Sequence, residues 1–138
     1  MENGEDEELE RIKQAKLRKM MTGAAPEEGG RAFNKPVVMT DATFEEMIQN
    51  HPLVVIDCWA PWCGPCRLVA PIIEELSRDY VGRIVFGKLN VDENREVSVK
   101  YNIMSIPTLL VFKKGKLVDT IIGAMPRQTL EQKITRHL

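Results

Sequence analysis

Cysteine is scarce in this sequence, and most of what there is lies together. Three cysteines in 138 residues do not read as a disulfide scaffold. A single domain of this length buries enough surface to fold without disulfide or metal. A charge bias is also missing: the formal net charge is −1, which argues against nucleic acid or an anionic membrane as a general partner. No uninterrupted apolar run is long enough to cross a bilayer. The opening stretch MENGEDEELERIKQAKLRKMM is too charged for a signal peptide. A cytoplasmic site, where thiols are mostly kept reduced, is therefore expected.

Metal ligands are short as well. A structural zinc site normally takes four. Cys63 and Cys66 supply one C-x-x-C half-site, and beyond them only Cys58, His51 and His137 remain, at no ligand spacing. An iron–sulfur cluster shared by two chains has no more in its favour. No metal is expected.

What is present is concentrated. WAPWCGPC, residues 59–66, holds both tryptophans and two of the three cysteines. Around it, strands and helices alternate from Val37 onward. VVMT is a short strand, and Asp41 is placed to cap a helix bearing Phe44, Met47 and Ile48. LVVIDCW is an apolar strand. A helix from about Cys63 to Tyr80 turns Val69, Ile72, Ile73, Leu76 and Tyr80 inward, with a kink expected at Pro71. RIVFGKLNV is a strand and ENREVSVKY a short helix. TLLVF and LVDTII flank the turn KKGK as a hairpin. Pro126 opens a last helix carrying Leu130, Ile134 and Leu138. This β-α-β-α-β-α-β-β-α order predicts an α/β domain: a mixed sheet with helices on both faces.

Residues 1–34 are set apart from the domain at 35–138. Residues 5–21 read as a helix whose acids come first and bases last, which suits the helix dipole. TGAAPEEGGR then reads as a linker. Two readings of this arm stand open: a solvated helix, or a docking element for a partner.

Placed at the start of its helix, Cys63 meets free backbone N–H groups and the positive end of the dipole. Both favour thiolate over thiol, and the thiolate is the nucleophile of disulfide exchange. Gly64 and Pro65 fill the first turn, where proline forfeits nothing. Cys66 lies one turn on, on the same side, deeper and shielded. The spacing offers one attacking and one resolving sulfur. A C-x-x-C pair beside a βαβ pattern is an established redox signature.

Two further residues are out of place as core. Asp57 interrupts LVVIDCW, sharing a strand face with Val55 and Trp59 while Val54, Ile56 and Cys58 take the other. A buried carboxylate there must be neutral, hydrated or paired, and burial raises its pKa. Lys88 sits similarly in RIVFGKLNV. Spacing leaves two readings equal: an Asp57–Lys88 pair, or a strand-end Asp reaching solvent with Lys88 on an open edge.

VVIDCWAPWCGPC, with GKLNVDEN, YNIMSIPTLLVFKKGK and IIGAM downstream, closely resembles the thioredoxin family from about Val37 to the C-terminus. The resemblance implies a central sheet of five strands flanked by four helices, with an added N-terminal helical extension. It implies Cys63 as attacking thiolate and Cys66 as resolving thiol, forming a redox-active Cys63–Cys66 disulfide. Asp57 matches the buried carboxylate that relays the Cys66 proton, and Lys88 the lysine beside it. Pro107 matches a cis-proline facing the disulfide, and Ile106 offers backbone groups to an extended substrate. Trp62, Gly64, Pro65, Val91, Ile122 and Gly123 match the apolar surface around Cys63.

The implied activity is reduction of disulfides in target proteins. The implied protein is a monomer with no bound cofactor, fed by a separate thioredoxin reductase that is NADPH- or ferredoxin-linked. Gly-Pro between the cysteines resembles the reducing branch; a disulfide oxidase or isomerase of the same fold, or a binding module directed by the N-terminal arm, are the alternatives. Cys58 departs from the family, which usually has an aromatic residue there. Core packing and a redox role are both open to it.

Overall fold

The computed structural model describes residues 32–138. The helix expected over residues 5–21 and the linker after it lie outside the described residues. Nine elements follow in the expected order: β1 (Val37–Met39), α1 (Phe44–Asn50), β2 (Leu53–Trp59), α2 (Cys66–Asp79), β3 (Val85–Asn90), α3 (Arg95–Lys100), β4 (Thr108–Lys113), β5 (Lys116–Ile122) and α4 (Arg127–Thr135).

The strands form one mixed sheet in the order β1-β3-β2-β4-β5. Helical crossovers separate β1, β2 and β3, and these strands pair in parallel, β3 lying between the other two. β4 runs antiparallel to β2, and β5 antiparallel to β4. The β4–β5 connection is only Lys114-Gly115, both at positive φ, 54° and 82°. That geometry matches the twist of a tight hairpin and explains the glycine.

β2 is the middle strand and is buried on both faces. Its alternation splits the core in two. Leu53 and Val55 pack with Val69, Ile73 and Leu76 of α2 and with Leu130 and Ile134 of α4. Val54, Ile56 and Cys58 pack with Phe44 and Ile48 of α1 and Val97 of α3. Each fully buried aliphatic side chain contributes roughly 1.5–3 kcal/mol, so the two layers hold the sheet from both sides. By the same parity Asp57 belongs to the α2–α4 face, among apolar neighbours.

Three local expectations are corrected. Regular α-helix begins at Cys66, not Cys63, and it runs on through Pro71 to Asp79. Its approach is a tight turn in which Arg67 and Leu68 donate to the carbonyls of Gly64 and Pro65 at 3.0 and 3.1 Å, an i to i−3 pattern.

Asp41 does not cap α1. Its N–H is held by Asn94 Oδ1 at 2.9 Å, and its carboxylate accepts the N–H groups of Val97 and Glu96 at 3.0 and 3.2 Å. It caps α3 instead. α1 starts from a turn in which Phe44 N–H donates to the Thr40 carbonyl at 2.9 Å. Finally, α4 ends at Thr135, and Leu138 beyond it is exposed rather than inward.

Candidate active site

β2 and β3 run parallel, so their C-terminal ends share one edge of the sheet. β4 is reversed, which brings its N-terminal end there, and β5 returns its C-terminal end to the same place. Four loops therefore meet at one edge: Ala60–Pro65 after β2, Val91 after β3, Ile106-Pro107 before β4 and Gly123 after β5. Ligand sites of open α/β sheets form at such edges. Residues far apart in sequence converge through strand direction alone.

Cys63 and Cys66 form a disulfide with Cα atoms 5.4 Å apart. The Cys63 N–H donates to the Ala60 carbonyl at 3.1 Å, closing the loop after β2. Arg67 Nη2 donates to the Pro61 carbonyl at 3.2 Å. The Cys66 N–H points at Cys63 Sγ, 3.2 Å away. A sulfur three residues before the donor takes the place of an N-cap acceptor. A thiolate there accepts a charge-assisted bond and faces the positive end of a 14-residue helix. At Gly64 an added Cβ would touch nothing within 4 Å, so the backbone between the cysteines borders open space.

The expected contrast between an open Cys63 and a sheltered Cys66 is not seen in this state. Both are 4% exposed. Bonded to each other, the two sulfurs cover one another.

Asp57 is 1% exposed, and its Oδ1 has no hydrogen-bond partner. It stands in register with Lys88 of β3 and Leu109 of β4. Burial pushes its carboxyl up to about 6, while the positive charge of Lys88 works in the opposite direction. The solvent-reaching alternative is thereby excluded. Lys88 is not on an open edge, because β3 is flanked by β1 and β2. It is half-buried, with its ammonium 5.3 Å from the Trp59 ring centre. Among the described residues it makes no ion pair, so it acts on Asp57 through its field.

Cys58 lies on the opposite face, fully buried in the α1–α3 layer. Burial first and the Asp57 charge second push its thiol well above the ordinary range. It packs as a small apolar residue.

The Ile106–Pro107 peptide bond is cis. The buried Pro107 accepts the Gly123 N–H at 2.9 Å, and Gly123 sits at φ 97°, where glycine is favoured. Ile106 is half-exposed and Ile122 is 62% exposed beside this join. Across the edge, Trp62 is 70% exposed, and its indole N–H donates to Asp92 Oδ2 at 2.9 Å. The Val91 N–H donates to the Trp59 carbonyl at 2.9 Å, tying the loop after β3 to the cysteine loop. Sequence reasoning passed over Asp92. The only signal was an aspartate in the turn NVDEN, and nothing local linked it to Trp62.

The Cys63–Cys66 disulfide lies at this edge with exposed Trp62 and Ile122, and Asp57, whose carboxyl is raised to about 6, lies on β2, the strand that leads into the cysteine loop. Among the described residues no group of three or more His, Cys, Asp or Glu is placed to hold a metal, and no helix is long and apolar enough to cross a membrane.

Comparison with known proteins agrees with this site. The family model named Thioredoxin matches residues 35–136. The chain is 48% identical over 101 residues to Thioredoxin 1 of Nostoc sp., covering 72% of this chain and 94% of that one. It is 46% identical over 108 residues to the chloroplastic M-type thioredoxin of Pisum sativum, covering 78% and 63%. Among solved structures, Plasmodium falciparum thioredoxin superposes with a TM-score of 0.69 at 43% identity, covering 74% of this chain and 99% of that one. Sheet order, cysteine pair and relatives converge, and the chain belongs to the thioredoxin family.

Proposed function

We propose that this protein reduces disulfides in target proteins through Cys63 and Cys66, and that residues 35–138 are the domain that does so. One observation carries the reading: the Cys63–Cys66 disulfide stands at a helix start where Cys63 Sγ already accepts a backbone N–H.

In the reduced protein, the Cys63 thiolate attacks one sulfur of a target disulfide. A mixed disulfide forms and the other target sulfur leaves, taking up a proton. The Cys66 thiol then gives its proton to the Asp57 carboxylate and attacks Cys63 Sγ. The intramolecular disulfide forms, and the second target sulfur leaves as a thiol. Target and protein exchange two electrons in all, and the disulfide described above is the product state. Lys88 is a positioning residue that limits how far burial raises Asp57. Trp62, Gly64, Pro65, Val91, Ile106, Pro107, Ile122 and Gly123 form the docking rim, and exposed apolar rings and side chains of this kind serve association.

Partners are disulfide-containing proteins and a reductase. We assign the electron supply to an NADPH- or ferredoxin-linked thioredoxin reductase, with no cofactor bound to this chain. The working form is a monomer in a reducing compartment, the cytoplasm. Insulin reduction tests the core of the reading. The wild type is expected to be active, Cys63→Ser inactive, and Cys66→Ser trapped as a mixed disulfide with its targets. A wild type that leaves insulin intact overturns the reading.

A further inference from the structure

A groove of about 470 Å³ runs beside the site, between the loop after β3, the outer side of α3 and the segment that leads into Ile106. Val91, Val99, Ile103 and Met104 give it an apolar wall, and Asp92 and Arg95 give it two charges. Val99 and Met104 are 75% and 85% exposed, an unusual outlay of apolar surface on so short a helix and loop. The groove adjoins the site where the loop after β3 meets the cysteine loop. Asp92 holds the Trp62 indole, and Val91 is bonded to the Trp59 carbonyl.

The two charges are not equivalent. The Asp92 carboxylate is engaged by the Trp62 N–H at 2.9 Å. The Arg95 guanidinium, exposed on the first turn of α3, has no hydrogen-bond or ion-pair partner among the described residues. A guanidinium offers five donors in a fixed fork, a geometry that suits a carboxylate.

We propose that Arg95 sets substrate preference, selecting targets with an acidic side chain near the attacked cysteine and an apolar one against Val99 and Met104. This rests on the reductase reading above and deepens it. The occupant is an extended stretch of the target, which passes Ile106 and continues into the groove.

Pairs of cyclic peptide disulfides test this, the members of each pair identical except for Glu or Lys at one position near the attacked cysteine, with one pair for each such position. At low salt the wild type is expected to reduce the best-placed Glu peptide with a kcat/KM about two- to fivefold above its Lys twin, the size of an exposed charge pair. The difference lies in KM and shrinks as salt is raised. Arg95→Glu is expected to invert the ratio. Because each protein is judged by its own ratio, any general loss in the variant cancels. Equal rates for Glu and Lys at every position, or a ratio unchanged by Arg95→Glu, overturn the proposal. So does a peptide rate per enzyme that falls with enzyme concentration, which signals a second copy in the groove. Hydroxyethyl disulfide, uncharged and too small to span the groove, separates the two readings. Its normal reduction alongside absent peptide preference removes the role of Arg95 alone. Failure on both substrates removes the reductase reading with it.

Discussion

Asp57 and Lys88 are register partners on adjacent parallel strands, yet Asp57 keeps one carboxylate oxygen with no hydrogen bond. An arrangement chosen for stability would bond that oxygen. Burial instead lifts the carboxyl from 3.8 to about 6, against the pull of Lys88.

A stability prediction follows from the sign. The folded protein holds the Asp57 proton more tightly than the unfolded chain, so ionising this group destabilises the fold. The cost is absent below about pH 4, grows between about pH 4 and 6, and is constant above. Asp57→Asn is expected to be more stable than wild type at pH 8 by up to about 3 kcal/mol, taking about 1.4 kcal/mol per pKa unit. Urea unfolding at pH 4 and pH 8 checks it. An advantage equal at both pH values refutes the assignment.

The same titration is expected to shape turnover. In the disulfide state a protonated Asp57 can hand its proton to Cys66 as that sulfur leaves during re-reduction. With dithiothreitol as reductant, the wild type is expected to outpace Asp57→Asn most below about pH 6, with the ratio falling toward one above it. The thiolate fraction of the reductant is common to both proteins, so the ratio isolates Asp57. A ratio independent of pH argues against a proton role.

Asp41 carries a prediction of its own, because it caps a helix remote from it in sequence. Asp41→Ala removes the acceptor of two α3 N–H groups. A loss of about 1 kcal/mol is expected, and Asp41→Asn should retain part of it. Denaturant midpoints measure this, and amide exchange at Glu96 and Val97 should quicken first.

Gly87 sits in mid-strand, where glycine is otherwise unfavourable. A Cβ there would lie 2.2 Å from the Met39 sulfur, and Met39 is 1% exposed with little room to move. Gly87→Ala is expected to cost about 1–3 kcal/mol. Shortening the neighbour in Gly87→Ala/Met39→Ala should make the two losses less than additive. Full additivity in denaturant unfolding removes the contact as the cause.

Much of the fold is legible in local pattern. LVVIDCW reads as a strand because it is apolar but for Asp57, and KKGK reads as a hairpin turn because it lies between two strand-like runs. The cysteine pair is legible because spacing and helix start act within four residues. Asp57 is legible as an anomaly, a carboxylate inside an apolar run. The direction of Asp41 is not legible, since its N–H is held by Asn94 and its carboxylate by the N–H groups of α3, more than fifty residues away, rather than by the helix it precedes. The Trp62–Asp92 bond and the Arg95 groove escape for the same reason.

The sequence by itself determined the elements, their order and the two reactive sulfurs, because hydrophobic period, turn chemistry and helix-start chemistry are all local. Tertiary structure decided what surrounds those sulfurs. Strand direction brings Ile106-Pro107, Gly123 and Val91 to the edge where the cysteines lie. Burial, which no single segment can impose, lifts Asp57 toward neutrality. Packing of both helical layers against one sheet sends Asp57 to one face and Cys58 to the other, so a buried carboxyl with a raised pKa and a buried thiol stand side by side in the chain and on opposite faces of the sheet.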